Sequence, residues 1–505
     1  MAVNIPDSNY VYAALLRCNY FPMVRKYMDE IPPVFSTVDF TPEVASDLCQ
    51  RCAPRKKGYD QIEYRATRFN NITRLMQIPH PLPYARLCES IFENWDALNH
   101  VCKNAQSRIK PALHDDDRLV ILGEYNKLDA GRLVVMEKEK FPESVVEDLT
   151  ISIGARYRVS ADISTCFPSI YTHSIPWALV GHARAKSNHS TTLWYNDLDK
   201  RQRDLKRGET HGIPIGPATS NLISEVILYK IDENLRDKGY RFLRFIDDYK
   251  CYCETREQAE QFLLDLEREL QKYLLTINIK KVVIEELPIP HRASWIIDLV
   301  NHLPDDDSPS SRKIADFFDY AINLQKKYPE GSILKYTSRS LVKRINESNA
   351  KVFLSYLASV SFHYPIVLPI LCEAAKNNLK ATQKLDFSSI LKQQLKYRRS
   401  DAVCWTLYLM GICGKSIDVK LAEDVIATKD CMSMAMLIAI DQHKKKVAMF
   451  LNDYCDPNSE YDCDRYWILI HELSKETKKF ENYRKKSGLT LLRHRDVHFV
   501  FPINE

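Results

Sequence analysis

RFLRFIDDYKCYC, residues 241–253, is the stretch on which the fold turns. Phe242, Phe245 or Ile246, Cys251 and Cys253 are apolar, while Arg241, Arg244, Asp248 and Lys250 are charged. Asp247 and Asp248 stand at the centre. Period-two alternation on either side of an acidic pair predicts a β-hairpin whose turn carries the acids. Two adjacent carboxylates held by strands that want to be buried repel each other and need a cation to hold them down. Hard carboxylate oxygens suit Mg²⁺ or Mn²⁺. Acidic turns are also common on surfaces, so the pair takes its meaning from its neighbours.

Upstream, ARYRVSAD (155–162) alternates with Tyr157, Val159 and Ala161 on one side and predicts a strand ending at Asp162. Phe167 follows five residues on, then Pro168. A polar, basic insert between Gly181 and Gly208 reads as loop and helix. In HGIPIGPATSNLISEVILYKIDENL (211–235), Gly212, Pro214, Gly216 and Pro217 make a rigid turn. Leu222, Ile223, Val226, Ile227 and Ile231 then form a helical stripe that stops at Gly239. Downstream, Arg256–Leu275 reads as an amphipathic helix, and LTINIKKVVIEELP as a strand carrying Asn278, Lys280 and Lys281.

The N-terminal residues 1–48 are helix and loop with dense tyrosines: Tyr10, Tyr12, Tyr20 and Tyr27. Residues 51–74 are basic and lead into RLMQIPHPLP (74–83), a short strand broken by prolines. Residues 84–104 read as a helix with Leu87, Ile91, Trp95 and Leu98 on one face. After Val300 the composition changes. NHLPDDDSPSSR (301–312) is an acidic Ser/Pro-rich linker, and the chain beyond it reads as helix after helix, either stacked helical pairs or a plain bundle.

At 505 residues, 45% hydrophobic and 27% charged, the chain has the composition of a globular protein of two or three domains. A net charge of +5 neither demands nor opposes a nucleic-acid partner. There is no membrane-length apolar run and no secretory leader pattern. The 14 scattered cysteines suit free cytosolic thiols, and the lone Cys49-Gln-Arg-Cys52 has no second pair at zinc spacing.

Taken in order, ADISTCF, GIPIGPATSN, FIDDY and LTINIKK resemble motifs A to D of the reverse-transcriptase palm, over about residues 60–290. The resemblance implies an α+β right-hand polymerase, with fingers and palm over 1–300 (an N-terminal extension at 1–50), a linker at 301–312, and an all-helical, repeat-like domain at 313–505. It implies a two-metal site in which Asp162 and Asp247 bind Mg²⁺ or Mn²⁺, the backbone carbonyl of Ile163 adds a ligand and Asp248 is the auxiliary acid. Phe167 takes the place of the aromatic gate that excludes a 2′-hydroxyl, beside Gly216. Arg74 matches the fingers arginine that grips the triphosphate, with Arg65 or Arg68 as helpers. Lys281 matches the lysine that protonates pyrophosphate, with Lys280 a rival by one register.

Two positions depart from the templated enzymes. Ile215 stands where they place a glutamine against the template-base pair, and Phe245-Ile246 replaces the usual Tyr-Ala. YTHSIPW (171–177) and ETHGIPIG (209–216) are similar to the abortive-infection phage-defence reverse transcriptases of the AbiK-like branch. That branch implies untemplated DNA synthesis from dNTPs, primed by a protein hydroxyl. It also implies single-stranded DNA left covalently on the protein, a homo-oligomer (trimer or hexamer) and a bacterial cytoplasmic setting. The priming tyrosine is then sought at Tyr27, with Tyr10 and Tyr12 as rivals, and Lys475, Lys478, Lys479, Arg484, Lys485 and Lys486 could track the product strand. The alternatives are a templated enzyme of retron or mobile-intron type and a binding protein on a dead polymerase fold. Retention of Asp162, Asp247 and Asp248 speaks against the last.

Overall fold

A computed structural model gives the architecture and describes residues 5–22, 24–25, 28–68, 71–108, 111 and 143–503. Its centre is a four-stranded antiparallel sheet in the spatial order Arg241–Phe245, Asp248–Cys253, Tyr157–Asp162, Val283–Glu286. The first two strands are the expected hairpin. Phe245 pairs with Asp248 across the two-residue turn Ile246-Asp247. The third strand is registered so that Asp162 lies opposite Asp248. Phe242, Tyr249, Cys251 and Cys253 turn inward and are buried, each large side chain contributing roughly 1.5–3 kcal/mol by leaving water.

The helix Ala218–Asp237 carries the expected stripe, with Leu222, Ile223, Val226, Ile227 and Ile231 fully buried. Arg256–Gln271 packs beside it and against the sheet. One expectation shifts. Lys280 and Lys281 lie in a short 3₁₀ turn, Ile279–Lys281, and the strand begins only at Val283. Asn278 starts that turn, its backbone N–H and side chain both bonded to Asp162.

A second antiparallel hairpin, Ile62–Thr67 with Thr73–Ile78, projects in front of the sheet. It is docked by Gln77 N–H to the carbonyl of Ile215 at 2.8 Å. The prolines after it open a helix rather than merely breaking a strand: Pro81–Glu93 begins with proline in its first turn, where a missing N–H is harmless. Leu87 and Ile91 on that helix, and Trp95 and Leu98 in the short one after it, are buried.

From Ser311 to His494 every described element is a helix. Ser311–Lys327 packs on Ile333–Leu341 and Ala350–His363, and Ser400–Ile412 packs on Leu368–Asn377, Phe387–Lys396 and Cys431–Ala439. In the helix Ile333–Leu341, Ile333, Leu334 and Leu341 supply the buried face. Residues 301–310 are fastened down. The Arg344 guanidinium donates to Pro304 O at 2.6 Å and Asn349 to Pro309 O at 2.9 Å.

The helical half returns to the N-terminal half. Arg55 and Tyr483 both donate to Asp464, at 2.8 Å each. Phe35 bridges Val500, Phe501 N–H donates to Val34 O, and the Phe499 ring meets Tyr20 and Phe40. One apolar core therefore runs through both halves.

Candidate active site

Asp162 ends one strand, Asp247 sits in the hairpin turn and Asp248 opens the next strand, so three carboxylates arise from two adjacent strands. Their ligand oxygens lie within 4.8 Å of one another. Among the described residues no other group of three or more His, Cys, Asp or Glu side chains comes together in this way. Backbone bonds hold the triad in place. Ile163 N–H donates to Asp247 O at 3.0 Å, and Asn278 N–H to Asp162 O at 2.7 Å. The Asn278 side chain donates to Asp162 Oδ2 at 3.0 Å, and Lys281 Nζ lies 3.1 Å from Asp162 Oδ1.

Electrostatics here are those of acids crowded together. Burial, with the charges of Asp247 and Asp162, pushes Asp248 up to about 6. Burial and Asp162 raise Asp247 as well, against the pull of Lys281 and Arg74. Partial burial draws Lys281 down, but its bond to Asp162 and the neighbouring carboxylates outweigh it and hold the ammonium above its usual value. Three hard oxygen donors that raise one another's proton affinity fit a divalent cation, which would relieve the repulsion that protons relieve otherwise.

The turn itself is strained. Ile246 has φ 56°, a left-handed conformation that β-branched residues avoid. The side chain that holds it is Arg244, which is wholly buried. Its guanidinium donates to Glu225 (2.7 and 2.8 Å), to Asp232 (2.9 Å) and to the carbonyl of Ile246 (2.8 Å). Tyr249 and Asn104 complete the bonds to Asp232. Arg244 is the buried charged side chain beneath the acids that the sequence reading missed. Its parity with Phe242 on the strand was the available signal, together with Glu225 and Asp232 seven apart on the apolar helix.

The triad stands between two cavities. The smaller, about 260 Å³, is walled by Arg68 and Arg74 from the projecting hairpin, by Phe167, by Ile215 and Gly216, and by the three acids with Lys281. Phe167 is buried in the short helix Cys166–Ser169, and its carbonyl accepts from Ile213 N–H. Close approach explains the glycines. A Cβ on Gly212 would sit 2.8 Å from Pro168 O, and a Cβ on Gly216, at φ 139°, would sit 3.1 Å from Gln77 O. The larger cavity, about 960 Å³, shares Asp162, Phe245, Asp248 and Lys281 and runs past Arg108, Lys250, His291 and Tyr336.

Other candidates fall elsewhere. Arg65 faces a different cleft, and Lys280 is exposed, making no ion pair among the described residues. Tyr10 and Tyr12 lie on the buried face of the helix Ser8–Arg17, with Tyr12 stacked on Phe92 at 5.0 Å. Tyr27 lies outside the described residues. In the basic cluster, Arg484 is buried against Thr477 and Lys479 caps the carbonyls of Asn452 and Cys455, so both serve the fold.

Residues 68–310 match the family model for reverse transcriptase (RNA-dependent DNA polymerase), a little under half of the chain. The match begins on the projecting hairpin and contains all three acids. This is a reverse-transcriptase-like domain. The chain is accordingly a nucleotidyltransferase, an RNA-directed DNA polymerase-like enzyme. No curated protein matches it in sequence. In shape the chain resembles a solved structure of apo telomerase from Candida tropicalis, at 12% identity and TM-score 0.34, over 86% of this chain and 77% of that one. That likeness is distant.

Proposed function

We propose that the protein builds DNA from dNTPs without a template, primed by a hydroxyl of the protein itself, in abortive-infection defence against phage inside a bacterial cell. One observation carries this reading. The acid triad is complete, while Ile215, a side chain with no hydrogen bond to offer a template, lines the cavity at the place where the resemblance puts a template-reading glutamine.

In this reading a dNTP occupies the smaller cavity. Arg74 and Arg68 grip its phosphates, Phe167 closes the space a 2′-hydroxyl would need, and Gly216 leaves room for the sugar and base. The attacking hydroxyl arrives through the larger cavity, on the other side of the same carboxylates. Asp162 and Asp247, with the carbonyl of Ile163, would hold two Mg²⁺ or Mn²⁺ ions, and Asp248 assists. When bound, such ions acidify the hydroxyl and neutralise charge on the departing pyrophosphate. The hydroxyl gives up its proton to solvent as its oxygen bonds to the α-phosphorus, the α–β bridge breaks, and Lys281 gives its proton to the departing pyrophosphate. The first product is a phosphodiester to a tyrosine, Tyr27 being favoured over the buried Tyr10 and Tyr12. The product strand stays on the protein, and the helical domain at 313–505, joined by 301–312 to fingers and palm at 1–300, lines its exit. A homo-oligomer, trimer or hexamer, completes the reading.

A templated enzyme of retron or mobile-intron type is favoured by the match to RNA-dependent polymerases. Labelled dNTPs with Mg²⁺ or Mn²⁺, run on a denaturing protein gel without template or primer, separate the two. Label that stays with the protein and is released by protease supports protein priming. Label that needs an added template and primer supports the second reading and removes the first.

A further inference from the structure

Behind the projecting hairpin lies a cleft of about 470 Å³ that shares no residue with the catalytic cavities. One wall is the hairpin, through Arg65 and Thr73, and the other is built from the helical half. Its floor holds Arg399, only 8% exposed. This guanidinium donates to Gln394 Oε1 at 3.1 Å and to Asn71 O at 3.5 Å, but among the described residues no carboxylate forms an ion pair with it. Asp401, two residues on, gives both oxygens to Thr67. The charge of Asp401 reaches Arg399 only from a distance, so a buried cation with no carboxylate bonded to it is costly to fold around, and an anionic ligand would supply the missing partner.

The rim agrees with the floor. Arg398 and Lys429 are exposed, face the same cleft and form no ion pair among the described residues. The two acids present are engaged. Glu63 lies 3.6 Å from Arg65, and Asp430 accepts from Ser400 Oγ at 2.6 Å and from Ser433 N–H at 2.7 Å. The helices Ser400–Ile412 and Cys431–Ala439 both begin at the cleft, so their positive ends add to its potential. Two half-exposed tyrosines stand there, Tyr397 at 52% and Tyr454 at 45%, each bearing a cation on its ring, Arg399 at 4.6 Å and Lys429 at 4.1 Å; Tyr454 is also stacked on Phe450 at 5.0 Å, so Tyr397 is the ring left to meet a base. Guanidiniums for phosphate and a ring for a base are the chemistry that recognises a nucleotide, and the volume suits one small ligand rather than a strand.

We infer that this cleft is a second nucleotide-binding site, apart from the catalytic pocket, and that it takes one free nucleoside phosphate. Its wall is the hairpin whose next residue, Arg74, lines the catalytic cavity, so occupancy stiffens the fingers from behind.

The test is anisotropy of N-methylanthraniloyl-dATP on the full chain in EDTA, where metal-dependent binding at the acids is suppressed. The expected result is one site per chain that persists in Asp247→Asn/Asp248→Asn. It should weaken at least tenfold in Arg398→Glu/Lys429→Glu, whose exposed positions leave melting unchanged, and in Arg399→Gln. Inorganic pyrophosphate should compete. Binding that is indifferent to the cleft variants, or lost with the aspartates, or absent in EDTA, overturns the inference. So does binding of a short oligothymidylate where the nucleotide itself fails to bind.

Discussion

Arg244→Met isolates what the buried guanidinium does for the acids above it. The change removes the partner of two buried carboxylates, Glu225 and Asp232, and of the Ile246 carbonyl. Breaking such a pair from one side costs about 3–5 kcal/mol, which lowers the melting temperature by roughly 6–20 °C on the scaling for mid-sized domains. Loss of activity in this variant alone therefore says little. The informative protein is Arg244→Met/Glu225→Gln/Asp232→Asn, in which no charge is left stranded and most of the stability returns. Its turn still lacks the donor to Ile246. Holding a β-branched residue at positive φ costs on the order of 1–3 kcal/mol, and a charged hydrogen bond returns about 1.5–3 kcal/mol, so the two nearly balance. Without the bond the turn relaxes, and at about 1.4 kcal/mol per decade the acid pair is in register 10- to 100-fold less often. The assay is nucleotide incorporation against metal concentration. The half-saturating Mg²⁺ or Mn²⁺ should rise at least tenfold in the triple variant while its melting temperature approaches that of the parent. A parent-like metal requirement would refute the positioning role and leave Arg244 as a piece of core.

Asp247→Asn with Asp248→Asn should abolish incorporation and leave the metal-free melting temperature unchanged or slightly higher, since two repelling charges are gone; surviving synthesis would remove the metal-site argument. Phe167→Ala should admit ribonucleotides, read as the ratio of dNTP to NTP incorporation, and an unchanged ratio would place the gate elsewhere. The pH dependence comes from Asp248. Its proton is held up to about 6 in the folded chain against 3.8 as the ordinary value, so this group favours folding at low pH and that contribution is lost as pH rises through about 6. Without metal, melting temperature should therefore fall between about pH 4 and about pH 6 and level off above. Metal needs the deprotonated acid, so half-saturation should climb roughly tenfold per unit below about pH 6. A flat profile in both would mean that Asp248 titrates normally.

The hairpin, the helix behind it and the acid triad were legible because each is written locally: alternation in 241–253, a 3.6-residue stripe in 218–237, and acids at the ends of strands. Arg244 was not, because charge argues for the surface while its parity with Phe242 argues for burial, and only Glu225 and Asp232 across the sheet decide between them. Lys281 was found but placed on a strand. The pull of Asp162 on Asn278 and Lys281 tightens that segment into a 3₁₀ turn, a tertiary effect that no local pattern carries. The tyrosines of the first 20 residues show the opposite failure. Their density suggested exposed chemistry, yet Tyr10, Tyr12 and Tyr20 fill the core against Phe92 and Tyr84. The cleft behind the hairpin was beyond reach altogether, since its walls lie over 300 positions apart, as in the Thr67–Asp401 bond at a separation of 334.

The return of the helical half onto the first 60 residues has a consequence for how the protein is made. Asp39 accepts from His498 N–H across 459 positions, and Phe499 fills the space between Tyr20 and Phe40. While the chain is still on the ribosome, the N-terminal wall of the polymerase therefore stays open until residue 500 has emerged. Closing so long a loop is slow and comes late. An interrupted translation product that already contains all three aspartates would lack the contacts that His498 and Phe499 make with Asp39, Tyr20 and Phe40.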